Sequence, residues 1–218
     1  MNTLSPIQHL ILLFIPLLFA ITVHEVAHGW VALKFGDRTA QMLGRLTLNP
    51  IKHIDPIGTI FFPILLFFLG GFIFGWAKPV PVNWQNLKNP KRDMAFVALA
   101  GPGANLLMAI AWGLFAKLGF LLQNSSPDMA YLVIYMGEVG VYINLILMVL
   151  NLIPIPPLDG SRVVSSLLPR KADYYYSRLE PYGFFILIAL LATGALGKFL
   201  HPVTMMLQRF INQLFGFG

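Results

Sequence analysis

Long apolar stretches alternate along the chain with short clusters of charge, glycine and proline. Apolar runs near residues 8–33, 57–75, 94–116, 130–155 and 182–200 each approach the ~20 residues that a helix needs to cross the hydrocarbon core of a bilayer, so five candidate spans are predicted. Between the first two, Arg38 to Asn49 mixes Thr, Leu and Met with Gly44 and ends at Pro50, a pattern that suits a short strand or hairpin. Trp76 to Asn83 reads as a second extended piece, because Pro79 and Pro81 forbid a helix and fit an edge strand. After the last run, Val203, Met206, Leu207, Phe210, Ile211 and Leu214 share one helical face, which predicts an interfacial helix over 203–215.

Composition fixes the solvent. Of 218 residues 57% are hydrophobic and 11% charged, with a mean hydropathy of +0.72, far from a soluble globular domain. The expected fold is an all-α polytopic membrane protein. It has about four transmembrane helices, a re-entrant apolar segment and short membrane-associated β elements. Residues 1–218 form one domain, with its core over 8–168, because no soluble stretch reaches the ~100 residues of a separate one. The net charge of +6 comes from Lys and Arg in short clusters between apolar runs, a pattern of membrane topology and not of nucleic-acid binding. Cysteine is absent, so any metal site must use His, Asp or Glu. The first run is expected to be retained, since Met1 to His9 carry no Lys or Arg and the run contains His24, Glu25 and His28.

Those three residues carry the chemistry. His24-Glu25-Val26-Ala27-His28 is an H-E-x-x-H motif inside an apolar helix. Its four-residue spacing turns both imidazoles to one side, where they can share a Zn2+ while Glu25 reaches the water that the metal activates. Ionisable groups in a spanning helix cost several kcal/mol unless something compensates them. A catalytic zinc wants a third protein ligand, and the candidates are Glu138 and Asp159. Asp159 ends the segment Asn151 to Gly160, whose three prolines break the helix within the membrane zone, and broken backbone there usually lines a cavity. A plain N-cap for the following helix is the alternative role for Asp159. Asn105 and Asn151 are amides in apolar spans that could donate to an oxyanion or the substrate backbone, or could bond helix to helix. His53, His9 and His201 are expected at the surface or the interface. A membrane transporter or metal carrier using the same His/Asp cluster as a permeation site is the rival reading.

At this point the chain resembles a known family, the site-2 proteases, intramembrane zinc metalloproteases of regulated proteolysis. H-E-V-A-H matches the family's metal motif, Asn151 to Gly160 its N-x-x-P-x-P-x-x-D-G motif, and Gly101-Pro102-Gly103-Ala104-Asn105 its G-P-x-x-N, in the family's order. The resemblance implies one zinc on His24, His28 and Asp159, Glu25 as general base, and Asn105 and Asn151 near the substrate. It further implies transmembrane or membrane-associated protein substrates and a multi-pass location in a prokaryotic cell membrane. The chain resembles a compact form, without a PDZ or CBS domain.

Topology constrains one segment further. His24 and His28 lie in the C-terminal half of the first span and Asp159 at the C-terminal end of the run from 130, so both spans must run in one direction to meet. Residues 57–75 are therefore expected to be re-entrant. With the N-terminus outside, twelve of the fifteen Lys and Arg then fall on the cytoplasmic side with the active site, and only Lys117, Lys198 and Arg209 outside.

Overall fold

A computed structural model describes residues 5–61, 65 and 75–217. The 29-residue helix α1, Pro6–Lys34, opens on a capping box in which Ser5 accepts from the Gln8 N–H and Gln8 reaches back to the Ser5 N–H. A short helix α2, Thr39–Met42, and a 3-10 turn, Pro50–His53, follow. The chain then reaches a π-helical turn at Pro56–Phe61 and, after an extended stretch, a 3-10 turn at Trp84–Asn86. Two long helices, α3 (Pro90–Leu122) and α4 (Pro127–Asn151), form a hairpin, and α5 (Asp159–Leu167), α6 (Arg170–Ser177), α7 (Glu180–Ala192) and α8 (Ala195–Phe215) complete the chain.

Among the described residues, three helices are long and apolar enough to span a membrane: Ile7–Lys34, Pro90–Leu122 and Pro127–Asn151. Leu10, Leu107, Leu121 and Phe185 are among the large apolar side chains turned outward, as expected where lipid tails replace water as the solvent. Helices α1, α3 and α4 pack on one another, and a core of Ala109, Val141, Leu145, Leu196 and Ile211 joins α3 and α4 to α8.

Several expectations need correction. The run at 182–200 is not one straight span. Gly194 takes a left-handed conformation (φ 72°) that only glycine adopts without strain, and α7 and α8 meet there at a bend of 78°. The expected interfacial face of 203–215 is divided: Val203, Leu207 and Ile211 pack against α3 and α4, while Met206, Phe210 and Leu214 stay exposed. No strand occurs among the described residues. Residues 39–42 are helical instead. Trp76 to Asn83 is extended, but its N–H groups go singly to separate partners, Trp76 to Gly58 O, Lys78 to His53 O, Val80 to Glu25 and Asn83 to Asp37, so no ladder forms. His53 is buried rather than superficial, with Nε2 2.9 Å from Thr47 O. The re-entrant segment expected at 57–75 lies largely outside the described residues. Its two flanks do meet, since Trp76 N–H donates to Gly58 O at 3.1 Å and Thr59 Oγ1 to Trp76 O at 2.8 Å.

Candidate metal centre

Because residues four apart on a helix share a face, His24 and His28 leave α1 side by side, their ring centroids 4.6 Å apart. The chain brings Asp159 to them by breaking. Helix α4 ends at Asn151, and a segment interrupted by Pro154, Pro156 and Pro157 turns back to start α5 at Asp159. Tyr176 Oη pins that segment by donating to Pro154 O at 2.8 Å. Leu158, not Asp159, occupies the N-cap position, so the Asp159 carboxylate is left to face the histidines. Oδ2 of Asp159 lies 3.3 Å from Nε2 of both His24 and His28.

The outer nitrogens fix which lone pairs point inward. The Asn105 amide nitrogen donates to Ala20 O at 3.3 Å and to Asn144 Oδ1 at 3.0 Å, which turns Asn105 Oδ1 toward His24 Nδ1 at 2.6 Å. On the other ring, His28 Nδ1 meets the carbonyl of Val97 at 2.7 Å. Both Nδ1 atoms are therefore donors, and both Nε2 atoms of neutral rings present lone pairs toward the same point, 3.0 Å from each other. Asp159 Oδ2 is buried there without a hydrogen-bond donor. Three ligand atoms, all within 4.8 Å of one another, are a donor set that fits a metal ion, and two nitrogens with one oxygen suit zinc. Gly101 of α3 makes room for the pair: a Cβ at that position would stand 2.4 Å from His28 Nε2 and 2.5 Å from His24 Cε1.

Other predicted residues take different places. Glu25 is half-buried and its Oε2 accepts the Val80 N–H at 2.7 Å. Asn105 is fully buried behind His24, and its amide nitrogen donates to Ala20 O and Asn144 Oδ1, the helix-to-helix bonding that was one of the roles open to it. Asn151 is half-buried and bonds back along its own helix, Nδ2 to Leu147 O at 2.9 Å. Glu138, the other candidate third ligand, faces α8 instead, accepting from Gln208 Nε2 at 2.9 Å and Asn212 Nδ2 at 3.4 Å. The Val97 carbonyl, Asn144 and the Val80 N–H carried no signal in the sequence, since a backbone group or an apolar-span amide looks the same wherever the fold puts it.

The profile of Peptidase family M50 matches residues 12–194 of the chain. The chain belongs to peptidase family M50. This is the site-2 protease family, and the protein is a multi-pass membrane zinc metalloprotease within it. Among its relatives is "Putative zinc metalloprotease YwhC" of Bacillus subtilis, 39% identical over 204 residues, 91% of this protease and 88% of that one. "Putative zinc metalloprotease Rip2" of Mycolicibacterium smegmatis is 32% identical over 202 residues, 90% of this protease and 74% of that one. No solved structure gives a significant match. Family membership sets aside the carrier reading, because a carrier has no hydrolytic site.

Proposed function

We propose that this protease hydrolyses peptide bonds of transmembrane or membrane-associated proteins at a zinc centre within the bilayer, as in regulated intramembrane proteolysis. His24, His28 and Asp159 hold the metal and Glu25 is the general base of an H-E-x-x-H endopeptidase. The observation that carries this is the convergence of His24 and His28, in the apolar span Ile7–Lys34, with Asp159 of α5 on one point, a costly arrangement in a bilayer that a bound metal ion would compensate.

A zinc ion held there supplies Lewis-acid polarisation of the scissile carbonyl and acidifies water toward a pKa of ~7. The protein's groups do the rest. Asn105 and the Val97 carbonyl hold the two imidazoles with Nε2 inward. Glu25 takes a proton from the attacking water and returns it to the departing amine. Asn151, at the end of α4 and eight residues before Asp159, is assigned to the substrate: its second amide hydrogen can donate to the backbone oxygen of the unwound peptide. The Lys and Arg distribution supports a centre toward the cytoplasmic side of the membrane, taken to be a prokaryotic plasma membrane, and the contact between Gly58 and Trp76 supports a segment that leaves and returns on one side.

The deciding experiment pairs metal analysis with cleavage of a single-span reporter protein in proteoliposomes. Wild type should carry one zinc per chain and cut within the span. Glu25→Gln should keep the zinc and lose turnover by roughly 10⁴-fold or more, the scale of a lost catalytic group. Cleavage by Glu25→Gln at the wild-type rate would overturn the assignment.

A further inference from the structure

The extended stretch from Trp76 to Asn83 is tied to α1 by two carboxylates, and only one of them belongs to the site. Pro79 and Pro81 have no N–H, so Val80 supplies the sole backbone donor of residues 79–81, and it donates to Glu25 Oε2 at 2.7 Å. Three residues later the Asn83 N–H donates to Asp37 Oδ2 at 2.8 Å, and Asn86 Nδ2 donates to Asp37 Oδ1 at 2.9 Å. Asp37 lies just beyond the end of α1 and is fully buried. The same Oδ1 takes the Thr39 N–H at 3.0 Å and the Thr39 hydroxyl. Nothing in the hydrolytic chemistry uses Asp37. Yet every bond it makes either closes the α1 terminus or grips the stretch that ends on Glu25.

We propose that Asp37 is a positioning residue for peptide hydrolysis: it anchors Asn83 and Asn86, and so holds the Val80 N–H where it sets the Glu25 carboxylate. The lever is short and stiff. Residues 80 to 83 span at most roughly 10 Å of extended chain, and Pro81 within it restricts its torsions. Movement at the anchor therefore reaches Val80 instead of being absorbed between them. Displacement of a reacting group by about 1 Å costs on the order of 10²-fold in rate, so a hydrogen bond outside the site can matter to turnover. This proposal rests on Glu25 as the base.

Asp37→Asn tests it with little change in shape. The cluster supplies only donors: Thr39 and Asn86 meet Oδ1, and the Asn83 N–H meets Oδ2. An asparagine can turn its oxygen to the first group only by setting its NH2 against the Asn83 N–H, which releases the stretch while keeping the local turn. In full-length protein in proteoliposomes, with the single-span reporter, kcat should fall roughly 10- to 100-fold while KM stays within about twofold and zinc content is unchanged. Val80→Pro, which deletes the donor to Glu25, should lower kcat comparably, and the double variant should be no worse than Val80→Pro alone. Gly194→Ala, placed at the left-handed bend between α7 and α8, serves as a remote destabilised control whose kcat should not move. If Asp37→Asn fails to fold, Asn86→Ala takes its place in the same cycle, with a kcat loss of about threefold that disappears in the Val80→Pro background. Wild-type kcat in the anchor variant would overturn the proposal, as would losses that multiply in the double variant. Glu25→Gln separates the two levels: if it retains turnover, the assignment of the base fails, whereas an inert Glu25→Gln beside an unaffected Asp37→Asn removes only the role of Asp37.

Discussion

Two polar clusters lie within the apolar bundle, and they differ in the sign of their hydrogen-bonding groups. Around Glu138 an acceptor meets donors: Gln208 and Asn212 of α8 both offer amide hydrogens to one carboxylate oxygen. Around His24, His28 and Asp159 neutral rings present only acceptors, because Asn105 and the Val97 carbonyl turn the Nδ1 protons outward. The first arrangement joins helices and is satisfied by protein alone. With both rings neutral, the second sets three lone pairs facing one another, and a metal ion satisfies all three. Burial and charge therefore do not separate a structural cluster from a metal centre in a membrane, but the balance of donors and acceptors does.

The largest effect should come from His24→Ala or His28→Ala, which removes one of the three ligands; bound zinc, measured by elemental analysis, should fall to background, with cleavage of the reporter abolished. Asp159→Ala should also lose zinc but less completely, since a water can replace one oxygen ligand. Asn105→Leu sharpens the comparison further, because it leaves every ligand in place and only frees the His24 ring. Zinc affinity, titrated against a competing chelator, should weaken roughly 10- to 100-fold. Gln208→Leu and Glu138→Gln act on the other cluster and should leave zinc content and turnover at wild-type values, with thermal stability lowered by about 1 kcal/mol or less. Loss of zinc in Glu138→Gln would break the distinction between the two clusters.

Much of the metal centre was legible in the sequence because its geometry is local. A four-residue spacing on a helix sets His24 beside His28, and three prolines before Asp159 announce broken backbone where a ligand can be offered. What positions those ligands was not legible. The partner of His28 is a carbonyl, identical in every residue, and Asn105 reads the same whether it faces a substrate or a histidine 81 positions away. The β elements failed for a related reason: the prolines correctly marked Trp76 to Asn83 as extended, but strands are defined by a partner, and the partners here are two carboxylates and two isolated carbonyls. Asp37 carries no signal in the sequence, because a polar residue just after a span looks like a solvated end. In the fold it is fully buried; burial alone would raise its carboxyl, but hydrogen bonds from Thr39, Asn86 and Asn83 hold it below its ordinary value.

Topology is testable with the cysteine-free chain. Single cysteines at Asn49, Asn86, Ser125 and Lys171 can be probed in intact cells with a membrane-impermeant thiol reagent, and only Ser125→Cys should label from outside. External labelling of Asn86→Cys would place the two ends of 57–75 on opposite sides of the bilayer.

The meeting of Gly58 and Trp76 has a consequence for how such a chain can change over generations. Because the backbone closes there at 3.1 Å, the intervening sequence begins and ends at one place. The junction is thus a natural splice point, where related chains can lengthen, shorten or exchange an insert as a graft without moving a ligand.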